Sequence, residues 1–149
     1  APIAEVVEAI RTQKPDVVFA PHVETSAGVI LPDDYVAAMA AAAHDVGALM
    51  VLDCIASGCA GVNMRALGVD VLISAPQKGW SASPCAGLVM MSKRAEARLA
   101  ETQSDSFAID LGKWRAIMKA YEDGGHAYHA TMPTDALRAF RDTMLETRE

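Results

Sequence analysis

The chain has 149 residues, is 52% hydrophobic, and carries a formal charge of −6 from 13 basic and 19 acidic side chains. That is the size of one ordinary domain with enough apolar material for a substantial core, and Lys and Arg scattered through an acidic chain argue against capture of nucleic acid. No apolar run approaches the roughly 18 to 20 residues needed to cross a bilayer, and Cys54, Cys59 and Cys85 lack a disulfide-like or metal-like spacing, so they read as reduced thiols of a cytoplasmic protein.

Ile3, Val6, Val7 and Ile10 recur at helical spacing, which predicts an amphipathic helix over residues 3–13, ended by Lys14-Pro15-Asp16. The sequence opens inside this helix without an initiating Met, and an upstream segment is expected. Val17-Val18-Phe19-Ala20 predicts a short strand buried on both faces, and His22 to Gly28 a turn-rich loop. Pro32-Asp33-Asp34 is a helix-start signal, and Tyr35 to Val46 reads as an Ala-rich helix closed by Gly47. Ala48 to Leu52 predicts a second buried strand ending at Asp53. A helical turn around Asn63 to Leu67 leads through Gly68 to a third strand, Val71 to Ser74, and Gly87 to Met91 is the fourth. Beyond them Lys93 to Thr102 and Leu111 to Glu122 are helical by period, Gly124-Gly125 breaks the pattern, and Pro133 opens a last helix to about Leu145. Strand, crossover helix and strand again define an α/β fold with a mostly parallel sheet and flanking helices.

Ligands of open α/β sheets gather at the carboxyl ends of the strands, so His22 to Gly28, Asp53 and Gln77-Lys78 are predicted to converge on one crevice. Lys78, set among small residues and Trp80, is expected to be partly desolvated, a condition that lowers an amine's pKa and suits it to Schiff-base chemistry. A lysine that snorkels out of a loop would read the same way. Asp53 would aim a carboxylate into that crevice, as pyridoxal-phosphate (PLP) chemistry requires for a protonated pyridine nitrogen, or would cap the following turn. The hydroxyls and glycine of His22 to Gly28 suit either a ligand or a turn that caps the next helix.

Together, His22-x-Glu24-Thr25-Ser26-x-Gly28, Val51-Leu52-Asp53 and Ser74-x-x-Gln77-Lys78-Gly79 resemble the class V aminotransferases, the family of the serine-pyruvate and alanine-glyoxylate enzymes, in order and approximate spacing. The resemblance covers nearly the whole chain and implies the large domain of a fold type I PLP-dependent transferase, with residues 1–149 an incomplete part of it. It implies that Lys78 holds PLP as a Schiff base, that Asp53 pairs with the pyridinium nitrogen, and that Ile55 packs on a ring face. Thr25 would reach the ring hydroxyl, and Gln77 would sit beside the cofactor. Tyr128-His129-Ala130-Thr131 resembles the segment whose Tyr and Thr reach the phosphate of the neighbouring subunit's cofactor, so Tyr128 and Thr131 would act across a homodimer interface.

The implied reaction moves an amino group between a small amino acid and a 2-oxo acid. The family's phosphate-binding turn and ring-stacking aromatic would precede Ala1, and its small C-terminal domain would follow Glu149. Without them the chain is expected to be inactive alone. A cysteine desulfurase would need a mobile nucleophilic cysteine and usually a histidine before the lysine, where Gln77 stands. A PLP lyase would use the same Lys78 and Asp53, and a non-catalytic α/β dimerisation module would use neither. No Gly-x-Gly-x-x-Gly or Gly-x-x-x-x-Gly-Lys-Ser/Thr stretch supports a nucleotide-binding domain.

Overall fold

A computed structural model describes residues 1–148. Helix α1 (Ile3–Gln13) leads into strand β1 (Val17–Pro21), and a small hairpin follows, β2 (Val23–Glu24) with β3 (Val29–Ile30). Helix α2 (Asp33–Asp45) then carries the chain back to β4 (Leu49–Asp53), beside β1. β5 (Val71–Ser74) and β6 (Leu88–Met91) complete a sheet of order β1-β4-β5-β6, and α3 (Lys93–Ala100), α4 (Leu111–Glu122) and α5 (Thr134–Glu146) follow. β1, β4 and β5 are parallel, and β6 returns antiparallel on β5. The α/β class and mostly parallel sheet are therefore as the sequence predicts.

α2 starts with Asp33 and Asp34 in its first turn, where carboxylates meet the positive end of the helix dipole. Its inward face is short: Val36, Met39, Ala40, Ala42 and Ala43 are buried, so the helix axis can approach the sheet closely. Beneath it lie Met50 and Leu52, both fully buried, each worth about 1.5–3 kcal/mol on removal from water. β4 alternates with the pleat, which is how a central strand divides its side chains between two faces.

The β4 to β5 crossover is a turn rather than a helix, closed by Leu67 N–H donating to the Asn63 carbonyl at 3.1 Å and by Ala66 N–H donating to Asn63 Oδ1, also at 3.1 Å. Gly68 ends it at φ +72°, with Ala40 so close that an added Cβ would lie 3.3 Å from it. Both the left-handed backbone and the space against α2 favour glycine here.

β1 departs from its predicted burial on both faces. Ala20 is buried, but Val17 and Phe19 are 49% and 59% exposed. β1 is an edge strand, and the core cluster gathers Ala20, Met50, Leu52 and Leu72 with residues of α1 and α2. The hairpin β2–β3 was also not foreseen, because two-residue strands carry no periodicity to read.

The largest polar structure lies at the amino ends of the strands. Asp70, 2% exposed, precedes β5. Its Oδ2 accepts from the Met50 amide at 2.9 Å and from Arg94 at 2.8 Å, and lies 2.9 Å from His44 Nε2. Its Oδ1 accepts from Ser92 Oγ at 3.1 Å. Arg94 also donates to the Ala48 carbonyl at 2.7 Å. One carboxylate thus ties α2, β4, β5 and α3 together. Burial, the strongest single influence, pushes the Asp70 carboxyl up, but the Met50 amide, His44 and Ser92 together hold it below its usual range.

Candidate active site

At the opposite end of the sheet the strands deliver the predicted residues. Pro21, Asp53 and Ile73 stand side by side in register on β1, β4 and β5. The ladder runs on past them: His22 N–H donates to the Asp53 carbonyl at 2.8 Å, and Cys54 N–H donates to the Ile73 carbonyl at 2.8 Å. Asp53 is half-buried, and its Oδ1 accepts from the Ile55 amide at 2.9 Å. Among the described residues Oδ2 of Asp53 has no hydrogen-bond partner. The turn-capping role uses one carboxylate oxygen and leaves the other open.

The Lys78 loop is rooted by Ala75 and the fully buried Pro76, and it emerges at Gln77 and Lys78, both exposed. Ser81 N–H donates to the Lys78 carbonyl at 3.0 Å, and Ala82 N–H donates to the Pro76 carbonyl at 3.0 Å, so the loop folds back over its own root. Trp80 meets Phe140 of α5 edge-on, with ring centroids 5.7 Å apart. The exposure of Lys78, between exposed Gln77 and Gly79, corrects the expectation of a partly desolvated amine.

Gly79 does what sequence reading overlooked. A Cβ at this position would press into the Gly58 carbonyl and lie 2.8 Å from its carbon. The loop after β5 therefore rests on the loop after β4, backbone on backbone, and Lys78 and Asp53 lie toward one end of the sheet because β4 and β5 run parallel. A glycine directly after a candidate lysine was the signal available.

Ile55 is half-buried in the turn that follows Asp53. Thr25 is exposed in the β2–β3 turn, next to Glu24, whose carboxylate accepts from the Ser26 amide and hydroxyl and is thereby lowered in pKa. Tyr128 and Thr131 are not joined to this group. They are exposed, and their hydroxyls lie 3.2 Å apart. Neighbouring His129 is instead tied to the Phe107 carbonyl at 2.7 Å and to the Trp114 ring.

Cys54 is buried. Burial foremost raises its thiol pKa, the Asp53 charge adds to the rise, and a hydrogen bond with Ser57 partly offsets it. It is held as a neutral thiol, the wrong form for a sulfur nucleophile.

An exposed primary amine and a carboxylate with one free oxygen thus lie toward the carboxyl ends of adjacent parallel strands, where open α/β sheets gather their ligands. Residues 2–144 match the family described as Aminotransferase class-V, and the chain belongs to that family of PLP enzymes. It is 30% identical over 145 residues to the alanine–glyoxylate aminotransferase of Felis catus, covering 95% of this chain and 34% of that protein. It is 34% identical over 121 residues to the 2-aminoethylphosphonate–pyruvate transaminase of Burkholderia mallei, covering 80% of this chain and 31% of that protein. The crystal structure of an alanine–glyoxylate aminotransferase from Nostoc sp. superposes with a TM-score of 0.81 at 27% identity, covering 96% of this chain and 37% of the other. The chain spans about a third of the length of these relatives. Asp53 and Lys78 fit PLP by their chemistry: a carboxylate for the ring nitrogen and an amine for the aldehyde.

Proposed function

We propose that the polypeptide to which these residues belong is a PLP-dependent aminotransferase. It moves an amino group between a small amino acid of serine or alanine type and a 2-oxo acid of glyoxylate or pyruvate type. The observation that supports this reading is the parallel pairing of β4 and β5, whose carboxyl ends lead into Asp53 and the Lys78 loop.

When bound, PLP supplies an electron sink for the substrate's α-carbon. Lys78 Nζ would hold the cofactor and would carry the proton taken from and returned to the substrate. Asp53 Oδ2 would keep a proton at the ring nitrogen, while Oδ1 stays committed to the Ile55 amide. Ile55 would support a ring face, Thr25 would reach the ring hydroxyl, and Gln77 would stand beside the cofactor. Because donor and acceptor occupy the site in turn, steady-state kinetics are ping-pong.

Residues 1–149 form part of the PLP-binding large domain, and the enzyme works as a homodimer in which Tyr128 and Thr131 reach the phosphate of the neighbouring site. The exposure of both side chains supports this, and three free cysteines suit the reducing cytoplasm. Among the described residues no helix is long and apolar enough to cross a membrane.

The test is the intact mass of the full-length protein with PLP before and after borohydride reduction, with peptide mapping of the adduct. One pyridoxyl group on Lys78 is expected. No adduct, or one on another lysine, removes the assignment.

A further inference from the structure

His22 is the buried histidine of the described residues, 4% exposed, and the chemistry assigned to Lys78 and Asp53 leaves its imidazole without a role. Its main chain is already used: the N–H extends the β1–β4 ladder, and the carbonyl accepts from the Leu31 amide at 2.8 Å. The side chain reaches elsewhere, with Nδ1 lying 2.7 Å from Ser57 Oγ.

Ser57 belongs to the turn that follows Asp53. That turn is Ala56-Ser57-Gly58-Cys59-Ala60-Gly61, with almost no apolar surface to pack, and Gly58 sits at φ +60°. Its own backbone bonds are few: Ser57 N–H donates to the Cys54 carbonyl at 3.2 Å, and Ala60 N–H donates to the Ser57 carbonyl at 3.0 Å. A small-residue turn of this kind loses much conformational freedom on ordering. The part-buried hydrogen bond from His22 is therefore a large share of what holds it in place. The next carbonyl along, that of Gly58, is the surface on which Gly79 rests. Contact thus runs unbroken from His22 through Ser57 and Gly58 to Gly79, the neighbour of Lys78.

We propose that His22 is a positioning residue, whose hydrogen bond to Ser57 fixes the turn after β4 and so sets where the Lys78–Gly79 turn rests relative to Asp53. The proposal rests on the assignment of Lys78 and Asp53 to the cofactor site. Histidine suits the task because its ring fills a buried space while Nδ1 stays at a fixed reach. Asn places an amide near the same point.

The experiment compares the full-length protein with Ser57→Ala, His22→Leu, His22→Asn and a core control on α2, Met39→Ala. Two quantities are read: amide hydrogen exchange over residues 77–82 without cofactor, and pyridoxyl trapped on Lys78 by borohydride at limiting PLP. Ser57→Ala and His22→Leu are expected to speed exchange over 77–82 roughly tenfold and to lower trapping by a similar factor. His22→Asn should restore most of both, and Met39→Ala should change neither beyond its general loss of stability. Should His22→Leu not fold, Ser57→Ala, which removes the hydroxyl shared with Cys54, is read beside His22→Asn, which keeps that hydroxyl and changes only the histidine. Wild-type exchange over 77–82 in Ser57→Ala overturns the role of His22 even where Lys78 is trapped normally. No trapping on Lys78 in the wild-type protein instead removes the cofactor assignment, and the positioning role with it.

Discussion

The two ends of the sheet are built on opposite plans. At the amino ends, Asp70 is buried and both of its oxygens are engaged, by groups from α2, β4 and the start of α3. At the carboxyl ends, Asp53 commits one oxygen and Lys78 stands in solvent. A buried carboxylate with both oxygens engaged holds elements together, while a half-committed one is located by its neighbours and keeps an oxygen open. Under the proposed function, the difference separates a group that makes the fold from a group that would use it.

The sharpest way to break this contrast is Lys78→Ala. It should lower amino-group exchange by at least about a thousandfold and remove the trapped pyridoxyl mass, while thermal unfolding stays near wild type, because the side chain is exposed. Asp70→Ala should do the reverse. Removing a buried, multiply bonded carboxylate is expected to cost about 3 kcal/mol, read by urea unfolding, with cofactor trapping preserved under conditions where the protein is folded. The sign of its pH dependence follows from the lowered pKa. The contribution of Asp70 is full above the unfolded-state pKa of about 4 and is lost as pH falls through the folded-state value. The stability gap between wild type and Asp70→Ala should therefore narrow below about pH 4.

Gly79→Ala tests the seating itself. Its methyl group meets backbone rather than a flexible side chain, so the Lys78 turn must move, and trapping should fall roughly tenfold with a loss of about 1–2 kcal/mol in stability. The smallest effect is in thiol chemistry. Exposed Cys59 should alkylate at least about ten times faster than Cys54, whose thiol is buried and raised in pKa, as peptide mass spectrometry over time would record.

These two ends were unequally legible in the sequence. β4 and β5 could be read because apolar runs stop at polar residues, Asp53 and Ser74, and the same stops marked the site. The helices were read to within about two residues, the largest differences being the start of α2, at Asp33 rather than Tyr35, and the end of α3, at Ala100 rather than Thr102. The exposure of Val17 and Phe19 could not be read, since a short apolar run looks the same at an edge as at the centre of a sheet. Nor could the antiparallel direction of β6, which depends on a loop with no periodicity. Asp70 was missed for a different reason. Its partners His44, Met50, Ser92 and Arg94 are 20 or more residues away along the chain, although an aspartate between Val69 and Val71 at the head of an apolar run was a visible anomaly. His22 lay inside a motif that was recognised, but its pairing with Ser57 spans 35 residues and no spacing rule reaches it.

The antiparallel return of β6 has a consequence for how such a protein can diversify. Ser74 and Leu88 are paired across β5 and β6, so the connection that bears Lys78 leaves and rejoins the sheet at adjacent points. Lengthening a connection with clasped feet costs little: doubling it adds only about 0.6 kcal/mol of closure entropy, and the register of every strand is untouched. The stretch between Trp80 and Gly87 is consequently the least expensive place in this sheet to vary, where new sequence can change what the lysine meets without altering the ground it stands on.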